Sequence, residues 1–204
     1  MSKEAFDVFQ HGVLQLREDH FTDALGCFDQ ALALVPNFSQ ALCNRGLAQQ
    51  MLGEFDASIT SFEESLELAP TGANTHMNLS MSSFLQQDLA RGWEEYRWRW
   101  KSQGFEAYPQ NIQRLAPEWC GTSLEGKRIL VFGEQGIGDE IMFASCLPDV
   151  INAAASCVIA CTPRLIPLFR RSFPSAQVVS RDHLPAVEGV DWQAAAGTVA
   201  SYLR

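Results

Sequence analysis

Between an apolar run and an amphipathic stretch the chain reads Gly133-Glu134-Gln135-Gly136-Ile137-Gly138-Asp139-Glu140. A strand, a glycine-rich turn and a helix, in that order, cradle phosphate in many proteins. Here no lysine follows the glycines, and the spacing fits neither the dinucleotide fingerprint nor the P-loop. Glu134, Asp139 and Glu140 would also repel a pyrophosphate bound at the turn. This argues against a stand-alone nucleotide cradle, and no other cofactor motif stands in the chain. Carboxylates at the carboxyl end of a strand suit sugar hydroxyls instead. They accept hydrogen bonds, and one of them can remove a hydroxyl proton as a nucleophile attacks. Open α/β sheets bind ligands at this edge. A plainer reading stands beside it: Asp139 caps the helix, helped by the helix dipole, and the glycines only turn a corner.

The elements that must position this loop follow from periodicity. "RILVF" at 128–132 and "CVIAC" at 157–161 are continuous apolar runs, as strands of a parallel sheet require. A helix is expected at about 138–153, another opened by Pro163 and reaching about Phe169, and a short strand at 177–180. Strands alternating with helices imply parallel pairing with right-handed crossovers. The tail "VDWQAAAGTVASYLR" can begin one more unit. Before this region, residues 105–126 are punctuated by Pro109, Pro117, Gly121 and Gly126 and form a connector. Its Phe105, Tyr108 and Trp119 suggest that it lies against a surface.

The first half repeats itself. Pro36 and Pro70 lie 34 residues apart, and the same offset relates Gly12 to Gly46, Phe21 to Phe55, Phe28 to Phe62 and Leu32 to Leu66. A third copy passes through Ser80, Leu89, Gly92 and Tyr96 without a final proline. Such a period marks a helical solenoid. Small residues let two antiparallel helices approach, an aromatic fills the gap between pairs, and the proline ends each second helix. In "GWEEYRWRW", Trp93, Tyr96 and Trp100 fall on one helical face with Trp98 pointing elsewhere. That stripe reads as core rather than as a platform for sugar.

Residues 5–104 resemble the tetratricopeptide repeat family. They depart from it in lacking the tryptophan-type residue early in each first helix, and in the degenerate third copy. The resemblance implies a superhelix whose first helices line a groove for a peptide or protein segment. Gln10, Asn44 and Asn78 share one repeat position on that side. Amides both donate and accept, so a ladder of them can read extended backbone, or it can bridge neighbouring helices. Phe9 and Val13 occupy the places where the family's basic clamp for acidic chain ends would need lysine and asparagine.

Net charge is −9, with fourteen acids against seven bases in residues 1–104 and ten against eight in the remainder. An acidic chain with no basic stripe excludes nucleic acid and anionic membrane as natural partners. No apolar run is long enough to span a bilayer and no secretory signal opens the chain, so a cytoplasmic location is expected. Cys27, Cys43, Cys120, Cys146, Cys157 and Cys161 form no C-x-x-C pair and read as free thiols, and the four histidines have no ligand spacing. No metal site is expected.

From about Trp93 onward, "GWEEYRWRW", "PEWCGTSLEGKRILVFGEQGIGDEIMFASCLP" and "VDWQ" resemble the region where bacterial proteins join tetratricopeptide repeats to a heptosyltransferase-like, GT-B type glycosyltransferase. The resemblance implies an acceptor-side loop, with Asp139, preceded by Gly138, as the general base. Glu134, Gln135, Gly136 and Gly138 would line the sugar acceptor. It also implies a second Rossmann-like domain for the donor, which residues 127–204 do not contain. The expected architecture is multi-domain: an all-α tetratricopeptide solenoid over 1–104, the connector over 105–126, and a partial Rossmann-like parallel α/β domain over 127–204. The expected function is a peptide-binding module attached to an incomplete transferase domain that is inactive alone. The competing class is a working nucleotide-sugar transferase whose donor domain comes from a longer parent or a partner. An incomplete sheet also implies self-association, or disorder in the last ten to fifteen residues.

Overall fold

A computed structural model describes residues 2–102, 115–182, 184 and 187–203. The chain divides into two compact units, Met1–Gly104 and Phe105–Arg204. Phe105 and Tyr108 of the expected connector lie outside the described residues.

The first unit is three helical pairs: α1 (Lys3–Arg17) with α2 (Phe21–Leu34), α3 (Ser39–Met51) with α4 (Phe55–Leu68), and α5 (Ala73–Leu85) with α6 (Leu89–Tyr96). Ser2 opens α1 by accepting from the Ala5 N–H at 3.2 Å. The three turns within the pairs pass through left-handed backbone at Asp19 (φ 60°), Gly53 (φ 81°) and Gln87 (φ 64°). Pro36 and Pro70 follow the ends of α2 and α4, where a helix cannot continue.

The 34-residue spacing has a packing cause. A Cβ on Gly12 would sit 2.8 Å from the Phe28 ring, and one on Gly46 would sit 2.6 Å from the Phe62 ring. Glycine at these positions lets each pair close around its aromatic, and both rings are fully buried. The interior changes character along the stack. Phe9, Phe28 and Phe38 pack the first pair against the second. The second and third pairs meet through polar groups: Ser58 and Ser82 share a hydrogen bond at 2.7 Å, and the Gln50 amide donates to Ser82 at 2.9 Å.

The aromatic stripe differs from the expected single face. Helix α6 ends at Tyr96 and a 3-10 turn runs from Arg97 to Lys101, so helical phase does not reach Trp100. Phe84, Trp93 and Tyr96 form an edge-to-face cluster with centroids 4.8 to 6.2 Å apart. Trp98 instead stacks on His76 at 4.0 Å. Buried Arg99 places its guanidinium over the Tyr96 ring at 4.7 Å and the Trp100 ring at 4.5 Å.

The second unit is a four-stranded, all-parallel sheet of order β3-β2-β1-β4. Its strands are β1 (Arg128–Phe132), β2 (Ser156–Cys161), β3 (Gln177–Ser180) and β4 (Trp192–Ala195). Between and after them lie helices α7 (Ile137–Phe143), α8 (Leu147–Ala153), α9 (Ile166–Ser172) and α10 (Ala196–Leu203). Strand β1 is buried from Ile129 to Phe132. The expected continuous helix over 138–153 is broken by a 3-10 turn at Ala144–Cys146. Pro148, in the first turn of α8, cannot donate back to the preceding turn, which ends α7.

The tail does begin a further unit. Strand β4 pairs with β1 in the register Leu130 to Gln193, and Val199 of α10 is fully buried. Disorder of the last residues is therefore not what the tail adopts. On its other side β4 meets the connector: the Gln193 N–H donates to the Pro117 carbonyl at 2.9 Å, and the Trp119 N–H donates to the Gln193 carbonyl at 2.8 Å. Trp119 is 4% exposed and packs edge-on against Tyr202 at 5.3 Å.

Candidate functional site

Strand β1 is central, with β2 on one side and β4 on the other, so the chain changes direction across the sheet at the carboxyl ends of β1 and β4. This crevice is where open α/β sheets bind ligands. The loop from Gly133 to Gly136 lies there.

Its three carboxylates do three different things. Glu140 is 2% exposed. It accepts from the Thr162 N–H at 2.9 Å and the Thr162 hydroxyl at 2.5 Å, and pairs with the Arg181 guanidinium at 2.8 Å. Arg181 in turn donates to the carbonyls of Gly133 at 3.3 Å and Gln135 at 3.2 Å. One buried ion pair thus joins the ends of β1, β2 and β3. Glu134 is also 2% exposed, and its Oε1 accepts from the Gly197 N–H at 2.6 Å, at the start of α10. That side chain faces inward, toward a helix end. Asp139 is half-buried, and its Oδ2 accepts from the Gly136 N–H at 3.1 Å. This is half of a capping box, since Gly136 has no side chain to return the bond.

The glycines also differ from a simple tight turn. The left-handed residue of the loop is Gln135 (φ 58°), not a glycine. Gly136 is extended (φ −93°, ψ 171°). Gly133 is required for space, because a Cβ there would collide with the Glu140 carboxylate. Gly138 is exposed with nothing near its Cβ position. Gln135, Gly136, Gly138 and Asp139 therefore form the solvent-facing part of the loop, while Glu134 and Glu140 support it from behind. No motif or spacing in the sequence points to Thr162 or Gly197. Arg181 carried a faint signal: it is a cation directly after a short apolar strand.

In the helical unit, Gln10, Asn44 and Asn78 stand on α1, α3 and α5, whose neighbours in the stack are one another. Gln10 is exposed, and Asn44 and Asn78 are half-buried. The Asn44 amide makes no side-chain hydrogen bond among the described residues. Asn78 reaches the Cys43 sulfur at 3.9 Å, while the Gln50 amide donates to the Asn78 carbonyl at 3.1 Å. The ladder is thus mixed, with Asn44 open and Asn78 partly a bridge. An open pocket of about 350 Å³ in this unit is lined by Phe6, Phe9, Val35, Asn37, Phe38 and Gln40.

Burial pushes the Cys157 thiol up to about 12, and burial, with Glu140 adding to it, pushes Cys161 up to about 11. Thiols so shifted are poor nucleophiles. Among the described residues no group of three or more His, Cys, Asp or Glu could hold a metal ion.

Residues 39–71 match the tetratricopeptide repeat, the span of α3, α4 and the turn after them. The helical unit carries a tetratricopeptide repeat. The chain is also 34% identical over 178 residues to protein FlbA of Caulobacter vibrioides, covering 82% of this chain and 29% of that protein. It therefore spans less than a third of that relative's length. Among solved structures, it is similar to the first TPR of Spaghetti (RPAP3) bound to HSP90 peptide SRMEEVD, with a TM-score of 0.48, 16% identity and coverage of 55% of this chain and 85% of that one. The Sgt2 TPR domain from Aspergillus fumigatus is similar with a TM-score of 0.48 and 19% identity, over 52% of this chain and 71% of that one. Across the tetratricopeptide unit and the sheet unit alike, no described helix is long and apolar enough to cross a membrane.

Proposed function

We propose that the tetratricopeptide unit is a peptide- or protein-binding module whose groove is lined by α1, α3 and α5. The observation that carries this reading is the half-buried Asn44 amide, which makes no side-chain hydrogen bond among the described residues and stands on the same helix as Gln40, a lining residue of the open pocket. Gln10 and Asn78 extend the same row. The test is capture of a partner by the wild-type chain and by an Asn44→Ala, Asn78→Ala double variant. Each lost hydrogen bond weakens binding by about 0.5–1.5 kcal/mol. The expected result is a loss of the captured partner with an unchanged melting temperature. A lower melting temperature with undiminished capture would make the amides inter-helix bridges instead.

A second reading concerns the sheet unit, taken as residues 127–204 after a connector over 105–126. It is an acceptor-side, heptosyltransferase-like part of a GT-B sugar transferase, with Asp139 as general base and Gln135, Gly136 and Gly138 along the acceptor. Glu134 then serves by holding α10 against the loop. The observation that favours it is the half-buried Asp139 carboxylate at the crevice between β1 and β4. In a longer parent protein, Asp139→Asn is expected to lower sugar transfer by roughly 10²–10⁴-fold with folding intact. Undiminished transfer would leave Asp139 as a cap only. Self-association of this unit, through the β3 end of the sheet, belongs to the same reading, and a strictly monomeric species in light scattering would remove it.

A further inference from the structure

Two boundaries separate the three helical pairs, and their chemistry differs. At the first, the Phe9 and Phe38 rings meet at 4.7 Å inside one buried apolar cluster. At the second, Ser58 of α4 shares a hydrogen bond with Ser82 of α5 at 2.7 Å. The Gln50 amide of α3 donates to the Ser82 hydroxyl at 2.9 Å and to the Asn78 carbonyl at 3.1 Å. At the surface Arg91 donates to Glu63 at 2.6 Å, and the Gln86 amide donates to Asp56 at 2.5 Å. The helices that face each other here have polar interiors. Helix α4 buries three serines and Phe62, and of the seven residues that α5 buries only Met77 and Leu79 are apolar.

The third pair is held together by other means. The Phe84 ring of α5 packs edge-on against Trp93 of α6 at 4.8 Å. Gly92 lets the two helices close, since a Cβ there would collide with that ring. His76 and Glu95 are hydrogen-bonded across the pair, and Trp98 of the 3-10 turn stacks on the His76 ring at 4.0 Å. Among the described residues of α5, α6 and this turn, the aromatic contacts stay within the pair and none crosses to α3 or α4.

We propose that the third pair opens from the second as a unit, and that this boundary is the hinge of the helical stack. Parting the first boundary moves the Phe9 and Phe38 rings into water, which is unfavourable in proportion to the apolar area uncovered. Parting the second mainly exchanges hydrogen bonds between hydroxyls and amides for hydrogen bonds to water, a nearly balanced change. Pairs in such a stack touch only their neighbours, so the weaker boundary opens while the other stays shut. Opening moves Asn78 on α5 away from Asn44 on α3 and frees the Asn78 carbonyl from Gln50. The spacing of the amide row is thereby adjustable, and the hinge does not depend on what the row binds.

The test is native-state hydrogen exchange of the whole chain, followed by mass spectrometry without denaturant and at low urea. The expected result is that amides of α5 and α6 open together, with protection about tenfold or more below that of α1 to α4. Simple fraying of the stack from its outer pairs would loosen α1 and α2 as much. Replacing both hydroxyls, with Ser58→Ala and Ser82→Ala, is expected to leave the exchange of α5 and α6 unchanged or slower, because neither variant residue asks for a buried partner. Equal protection in all three pairs would overturn the proposal. Loss of protection in α6 with α5 still protected would do the same, since the pair would not then move as one body. Faster exchange of α5 and α6 in the double variant would also overturn it, by showing that the hydroxyls hold the boundary shut. The capture experiment on Asn44 and Asn78 decides the peptide-binding reading separately.

Discussion

The two units treat the carboxylate in opposite ways. In the helical unit most acids of the second helices stand at the surface, where Glu63 meets Arg91 at 2.6 Å and Glu64 meets Arg45 at 2.6 Å, while Glu95 turns in to His76. Surface pairs of this kind contribute little to stability. In the sheet unit Glu134 and Glu140 are buried, each spending its charge on a backbone N–H, a hydroxyl or a guanidinium. One residue type thus decorates a repeat in the first unit and ties strand ends together in the second. The difference is topological. A solenoid builds its core from neighbours in sequence. A parallel sheet brings distant strand ends together, and their loops need groups that can satisfy several backbone polar atoms at once.

The contrast is broken or sharpened most strongly by Glu140→Ala. Removing one partner of a buried pair costs about 3 kcal/mol or more, the lower end applying because Arg181 retains some contact with water. Amide hydrogen exchange should show lost protection in β1 and β2 with α1 to α4 unchanged. Equal protection in both units would show that the buried pair holds nothing. A smaller effect separates two helical glycines. Gly46→Ala forces a Cβ into the Phe62 ring and is expected to destabilise by roughly 1–2 kcal/mol after the gain in helix propensity. Gly26→Ala, in α2 with no atom near its Cβ position, should instead stabilise by about 0.5–1 kcal/mol. Urea midpoints would distinguish the signs, and a common sign would sink the close-packing account of the repeat.

Asp139→Asn is expected to change stability by less than about 0.5 kcal/mol, because asparagine also accepts from the Gly136 N–H. A large loss in thermal melting would mean that the carboxylate does more for the fold than cap α7. The smallest effect concerns exposed Asp191. Its carboxyl is held below the ordinary range, first by the Arg128 backbone N–H and then by Lys127. A depressed folded value stabilises above the unfolded range near about 3.9 and loses that contribution as the pH falls through the folded value. Titration of Asp191 followed by NMR should give a midpoint below that of the unfolded chain. An ordinary midpoint would show that the Arg128 and Lys127 contacts do not form in solution.

What the sequence determined by itself was whatever is written in local spacing. The 34-residue offset, the glycines facing Phe28 and Phe62, and the prolines after α2 and α4 announced the helical pairs, because each constraint acts within a few turns of chain. The apolar runs "RILVF" and "CVIAC" announced β1 and β2 for the same reason, and the strand expected at 177–180 is β3. Tertiary structure alone decided the rest. Nothing in the spacing of Gly133 to Glu140 says that Glu140 turns inward to Thr162 and Arg181, or that Glu134 ends on Gly197, because those partners lie 22 to 63 residues away. Nor does spacing say that Gln135, rather than a glycine, takes the left-handed backbone, since Arg181 holds the carbonyls on either side of the turn. A carboxylate on a glycine-rich loop reads the same whether it meets a ligand or a helix end, and only the arrangement of the strand ends around it separates Asp139 from its two neighbours.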